Sequence, residues 1–204
     1  MKAVVIGDTF GIGKAVKDYF VNQNFEVIGI SRTRGYDIER NFDEIVSICK
    51  DADIVFNNLC YKEYQKEILE KIYKHVSFII VSGGVIRNYT NIKPELSFIK
   101  SELYEFCNLL SSIPTQYNVA KILYLDFSFI KSTIGDDRYN SDEEIPLESI
   151  VSIIDIWLSN PYFWNVEFNL KLTSFVIESL GGKDKDLDKK CEKVNYLISI
   201  ADND

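Results

Sequence analysis

The chain has 204 residues, 46% of them hydrophobic, which is enough for one domain with a full core. Its formal net charge of −8 argues against a phosphate-backbone partner, which needs a clustered basic face, and the lysines clustered near the C-terminus are interleaved with acidic residues. No apolar run approaches the roughly 20 residues of a membrane helix, and the N-terminus shows no basic segment followed by an apolar one. The expectation is a cytoplasmic protein with no membrane or nucleic-acid partner.

Apolar runs alternate with amphipathic stretches from the start of the chain. Ala3–Ile6 reads as a buried strand, and Ile12–Val21 carries helical spacing. Phe25–Ile30 is a second strand, ended by the polar run Ser31-Arg32-Thr33-Arg34-Gly35. Tyr36-Asp37-Ile38 reads as a vestigial third strand, and Phe42–Cys49 as a helix. A strand over Asp53–Asn58 precedes a helix over Tyr61–His75, in which Tyr64, Ile68, Leu69 and Ile72 share one face. Val76–Ser82 is a core strand broken at Gly83-Gly84. Glu95–Ser112 is helical, Ile122–Ile130 a strand, and Leu147–Leu158 a helix stopped by Asn160-Pro161. Phe175–Glu178 reads as a last strand, closed by Gly181-Gly182. This pattern predicts a Rossmann-type α/β fold: a doubly wound parallel sheet of six to seven strands with helices on both faces. It would occupy residues 1–182, with 183–204 as a helical tail of mixed charge.

The cysteines Cys49, Cys60, Cys107 and Cys191 form no CxxC pair, and His75 is the only histidine. No zinc site is expected, and the cysteines read as reduced thiols, mostly buried. His75 reads as an exposed cap at a helix end.

Gly7-Asp8-Thr9-Phe10-Gly11-Ile12-Gly13 follows the first strand and opens the first helix. Small residues there allow a tight reversal and a close backbone approach to a pyrophosphate. The helix N-terminus supplies free N–H groups and partial positive charge for the anion. A tight turn with no ligand is the plain alternative.

With its G-x-x-x-G-x-G spacing, the sequence resembles the short-chain dehydrogenase/reductase family. The resemblance is strong in the first forty residues and patchy up to about residue 182. It implies a nicotinamide dinucleotide as cofactor. Arg32, with Thr33, stands where the family places a basic residue on the adenosine 2′-phosphate, which implies NADP(H) over NAD(H). Asp37-Ile38 matches the pair that contacts adenine. Asn57-Asn58-Leu59-Cys60 stands for the family's Asn-Asn-Ala-Gly, with a bulkier second half. Ser82 takes the position of the catalytic serine. The polar loop around residues 136–144 stands where the family has a substrate lid, against the plain reading of a solvated loop, and Thr133 could reach the carboxamide although the family's Pro-Gly is missing beside it.

The family's tyrosine donates or accepts the substrate proton, and a lysine one helical turn later binds the nicotinamide ribose. The one literal Tyr-x-x-x-Lys, Tyr117 to Lys121, runs directly into a strand. Extended chain would hold those side chains roughly 13 Å apart, against about 6 Å on a helix. The predicted helix after Ser82 instead carries Leu96 and Lys100 at that spacing. Ser82 and Lys100 are therefore the catalytic candidates, with leucine in the tyrosine's place and Lys100 also on the ribose. Tyr89 is the candidate substitute acid, against the simpler reading of a packed or surface aromatic. Tyr104, one turn after Lys100, is weighed in the same way. Pro161-Tyr162-Phe163-Trp164 could cover a substrate or fill a subunit contact. Three functions stay open: a short-chain oxidoreductase on a small carbonyl or alcohol with an atypical site, a non-catalytic dinucleotide sensor or accessory subunit, or a biosynthetic enzyme using the fold for non-redox chemistry. The resemblance further implies a homodimer or homotetramer through the helices at 61–75 and 95–112.

Overall fold

The computed structural model describes residues 1–83, 94–111, 113, 119–126, 147–160 and 165–169, the last of these by backbone alone. Its elements in chain order are β1 (Lys2–Ile6), α1 (Gly11–Asn22), β2 (Glu26–Ile30), a short 3-10 turn (Arg32–Arg34), α2 (Phe42–Lys50), β3 (Ile54–Asn57), α3 (Tyr64–Ile72), β4 (Phe78–Ser82), α4 (Pro94–Ser111), β5 (Lys121–Asp126), α5 (Leu147–Ser159) and β6 (Asn165–Asn169).

The six strands form one sheet in the order β2-β1-β3-β4-β5-β6, every neighbour parallel. Alternate residues of β1 to β5 supply two cores, because strand side chains alternate between faces. Val4, Ile6, Val55, Ile79 and Val81 pack under α2, α3 and α4 with Ile45, Ile68, Leu69, Leu103 and Cys107. Ala3, Val5, Ile54, Phe56 and Ile80 pack under α1 and α5 with Val16, Phe20, Ile150, Ile154 and Trp157. Burial on both faces explains why the strands read as continuous apolar runs rather than alternating ones. Among the described residues no helix is long and apolar enough to cross a membrane.

Three elements depart from the sequence expectations. Tyr36-Asp37-Ile38 is not a strand. The amides of Arg40 and Asn41 donate to the Asp37 carbonyl, the Glu39 amide donates to the Asp37 carboxylate, and the Asp37 amide donates to Asn41 Oδ1. A backbone closed on itself in this way has nothing left to pair with β2, which becomes the sheet edge. The helix expected at 61–75 spans Tyr64–Ile72, and its late start follows from Lys62, whose φ of 47° lies in the left-handed region. The sixth strand is Asn165–Asn169, which pairs with β5 from Ile122↔Asn165 to Asp126↔Asn169. The expected strand at 175–178, the tail at 183–204 and residues 127–130 of the long strand lie outside the described residues.

Candidate functional site

The chain passes from β1 outward to β2, then returns past β1 to β3. The carboxyl ends of β1 and β3 therefore diverge at a topological switch point, where open α/β sheets leave a crevice. Gly7 follows β1 and Asn58 follows β3, and the two lines face each other there. A Cβ on Gly7 would lie 3.1 Å from the Asn58 carbonyl oxygen.

The turn is built as its glycines require. Gly7 and Gly11 have φ of 80° and 53°, a region costly for other residues. A Cβ on Gly13 would lie 1.9 Å from the Gly7 carbonyl oxygen, so α1 can start against the turn only with glycine there. A Cβ on Gly11 would meet nothing within 4 Å, so the space over the turn is open. Phe10 precedes α1 in extended conformation with no side-chain cap on the helix, and no acidic residue lies in the first turn. The first N–H groups of α1 are thus left for an anion. Ile12 turns its side chain to the core beneath and can offer only backbone.

A cleft of about 440 Å³ opens beside this turn. Gly7, Thr9 and Phe10 line one wall, Ser31, Arg32 and Thr33 a second, and Asn58, Leu59 and Cys60 a third. Asp37 and Ile38 stand at its far end with Tyr36 and Tyr61. Tyr61 Oη donates to Glu39 Oε1 at 3.0 Å, and Lys62 pairs with the same carboxylate, which ties the two loops bounding that end. Eight of the expected cofactor residues (Gly7, Thr9, Phe10, Arg32, Thr33, Asp37, Ile38 and Asn58) therefore meet in one cavity. Their chemistry suits a dinucleotide: open backbone for a pyrophosphate, an exposed guanidinium with hydroxyls, and an apolar end for a flat base.

Other expected site residues are held away from the cleft. The Asp8 carboxylate is fully buried against Arg34 Nε at 2.7 Å and Lys17 Nζ at 3.1 Å. Burial works against its charged form, but Ser31, Arg34 and Lys17 outweigh that and hold the carboxyl below the usual range. Asp8 can meet a ligand through its backbone only. Asn57 is wholly buried. Its Nδ2 donates to the Gln65 carbonyl at 2.9 Å, and its side-chain oxygen accepts the Leu59 amide at 3.4 Å.

Ser82 and Lys100 do come together, but inside the protein. Both are buried. Lys100 Nζ donates to Gln65 Oε1 and to the Ser82 carbonyl, the latter at 3.4 Å. Gln65 Nε2 bridges the Asn57 and Ser82 carbonyls at 2.8 and 2.9 Å, and the Ser82 hydroxyl faces the Asn57 carbonyl at 3.5 Å. This network joins the ends of β3 and β4 to α3 and α4. Sequence reading missed Gln65. Its signal is a polar residue on the inward face of α3, beside Ile68, Leu69 and Ile72.

Leu96 and Lys100 lie one turn apart on α4, whereas Lys121 opens strand β5. Tyr104 packs edge-on against Tyr124, with ring centroids 5.3 Å apart, which makes it a packing residue. Tyr89, Thr133, the loop at 136–144 and the cluster at 161–164 lie outside the described residues. His75 is exposed just past α3. Cys49 and Cys107 are buried, and Cys60 is exposed at the rim of the cleft.

No family model matches the sequence. No curated protein matches it either. Solved structures do match the fold. A short-chain dehydrogenase from Burkholderia cenocepacia in complex with NADP superposes with a TM-score of 0.59 at 11% identity, over 89% of this chain and 95% of that one. The closed form of a serine dehydrogenase complexed with NADP+ gives 0.58 at 14% identity, over 81% and 92%. The 3-alpha-hydroxysteroid dehydrogenase from Pseudomonas sp. B-0831 complexed with NADH gives 0.56 at 11% identity, over 85% and 99%. The chain thus has the Rossmann-type architecture of these nicotinamide-dependent dehydrogenases. At such identities the likeness extends to the fold.

Proposed function

We propose that the protein binds a nicotinamide dinucleotide in the switch-point cleft, NADP(H) in preference to NAD(H), and acts as a short-chain oxidoreductase on a small carbonyl or alcohol. The observation that carries this reading is the convergence of Gly7, Thr9, Arg32, Thr33, Asp37 and Asn58 on one cleft beside the uncapped start of α1. Backbone N–H groups of the turn would hold the pyrophosphate, Arg32 and Thr33 the 2′-phosphate, and Asp37 with Ile38 the adenine. The dinucleotide, when bound, supplies or accepts the hydride. The protein's part is to hold it and to manage the proton. An acidic or apolar residue in place of Arg32 would favour NAD(H); the guanidinium favours the phosphate.

Fluorescence titration with NADPH and NADH tests the cofactor. Tighter NADPH binding, lost in Arg32→Ala, is expected; equal or tighter NADH binding removes the Arg32 argument. Turnover on a panel of aldehydes and ketones tests the reaction.

A second reading, a dinucleotide-binding protein without catalysis, is favoured by α4. Leucine stands one turn before Lys100 and cannot donate a proton, and Lys100 is engaged by Gln65 and the Ser82 carbonyl. Loss of a positioned general acid typically costs about 10²–10⁴-fold. If the wild type is inert and Leu96→Tyr gains reductase activity, the non-catalytic reading stands. If the wild type turns over and Leu96→Tyr adds nothing, the acid comes from elsewhere.

A further inference from the structure

We propose that Asp8 and Thr9 form a two-point clamp that holds the Arg32–Arg34 turn in place and so sets selectivity for the phosphorylated dinucleotide; Asp8 is a positioning residue in this, not a ligand. The proposal rests on the cofactor reading above and assigns a role to residues that do not themselves make the discriminating contact.

The geometry is a pair of adjacent residues gripping another pair. Asp8 Oδ2 accepts from Arg34 Nε at 2.7 Å, on the interior side of the turn. Thr9 Oγ1 meets Thr33 Oγ1 at 2.9 Å, on the cleft side, and Thr33 in turn meets Ser31 Oγ at 3.0 Å. Lys17, in the second turn of α1, pairs with the same Asp8 oxygen at 3.1 Å. Below them Gly29 leaves the room: a Cβ there would lie 2.1 Å from Asp8 Oδ2 and 3.0 Å from Arg34 Nε. The backbone adds one more tie, from the Gly7 amide to the Ile30 carbonyl at 2.8 Å.

These contacts make the pyrophosphate turn and the turn after β2 one rigid piece. Arg34 does not line the cleft, whereas Arg32 and Thr33 do. With Arg34 pinned inward, its neighbours are presented outward on a tight turn, closed by the Arg34 and Gly35 amides on the Ser31 and Arg32 carbonyls. Arg32 is exposed and would otherwise pay conformational entropy on meeting a phosphate. Preorganisation by the clamp removes part of that cost, and does so only for a ligand carrying the 2′-phosphate.

Two variants of opposite charge change give the test. Arg34→Gln removes a positive charge and Asp8→Asn a negative one. A simple field effect on a phosphate would weaken NADPH in the first and tighten it in the second. The clamp predicts weaker NADPH in both, by about tenfold for loss of one charge-assisted hydrogen bond, with NADH changed by less than about twofold. Amide hydrogen exchange at Arg34 and Gly35 should also speed up in both variants, with no nucleotide present. Arg34 is half exposed, so Arg34→Gln folds even if Asp8→Asn does not, and its exchange rates then decide. NADPH tightened by Asp8→Asn, equal losses for NADPH and NADH, or unchanged exchange at Arg34 and Gly35 would each overturn the clamp. If the wild type binds neither nucleotide, the cofactor reading fails with its consequence for selectivity, while the exchange data still report on the clamp itself.

Discussion

Gly13 shows how much a single atom decides here. Any side chain at this position drives a Cβ to 1.9 Å from the Gly7 carbonyl oxygen, and that neighbour is backbone, which cannot swing aside. Gly13→Ala should therefore separate α1 from the turn and destabilise the fold by more than about 2 kcal/mol, against the at most about 1 kcal/mol to gain from a better helix former. Urea denaturation of both proteins checks it. Asp8 gives a pH signature. Its folded-state carboxyl lies below its usual range, so its contribution to stability is fully present above the unfolded pKa, near ~3.9, and is lost as pH falls through the folded value. Unfolding free energy measured from pH 6 downward should fall in the acid range more steeply for wild type than for Asp8→Asn. Parallel profiles would show that the carboxylate carries no net pairing energy. The glycines were legible in the sequence because turn chemistry is local. The destination of the Asp8 side chain was not, since Arg34 and Lys17 reach it only after β1, β2 and α1 have packed.

At the scale of elements, the polar stitch between α3 and α4 is the feature that sequence periodicity hid. Gln65 fills an inward position on α3, where an apolar residue is the default, and satisfies three partners: the Asn57 carbonyl, the Ser82 carbonyl and Lys100. Gln65→Leu should cost about 1–3 kcal/mol or more despite its better apolar match, because it removes a partner from buried polar groups at the ends of two strands. Thermal denaturation reads this, and a neutral result would mean that water replaces the amide. The sequence marks Ser82 at a strand end and Lys100 on the following helix, and the structure brings Lys100 to the Ser82 carbonyl in the interior. Their orientation was not legible. Whether Lys100 faces the cleft or the interior depends on Gln65, which lies far away in sequence. The missing third strand follows the same logic: Asp37 and Asn41 close a local turn whose hydrogen bonds a pattern of apolar residues does not reveal.

At the scale of the molecule, two cores lie on opposite faces of one sheet, and the thiols report on them. Burial pushes the Cys49 and Cys107 thiols up to about 12, whereas Cys60 sits exposed by the cleft. In a Cys191→Ser background, one thiol should react promptly with a disulfide reagent and two only at the rate of opening of the core. Saturation with NADPH should slow the prompt reaction, since Cys60 lines the cleft proposed for the dinucleotide. Fast labelling of three thiols would contradict the packing under α2 and α4.

The sequence by itself determined the alternation of strand and helix and the place of the glycine turn between β1 and α1. These follow from periodicity and backbone conformation, which neighbours along the chain dictate. Only the tertiary structure decided which polar side chains face the cleft. Arg32 and Thr33 face it, and Asp8, Asn57 and Lys100 do not. A buried ionic or amide group must find its partner wherever the fold brings one, and Arg34, Lys17 and Gln65 arrive from other elements. That long-range pairing carries no local signal.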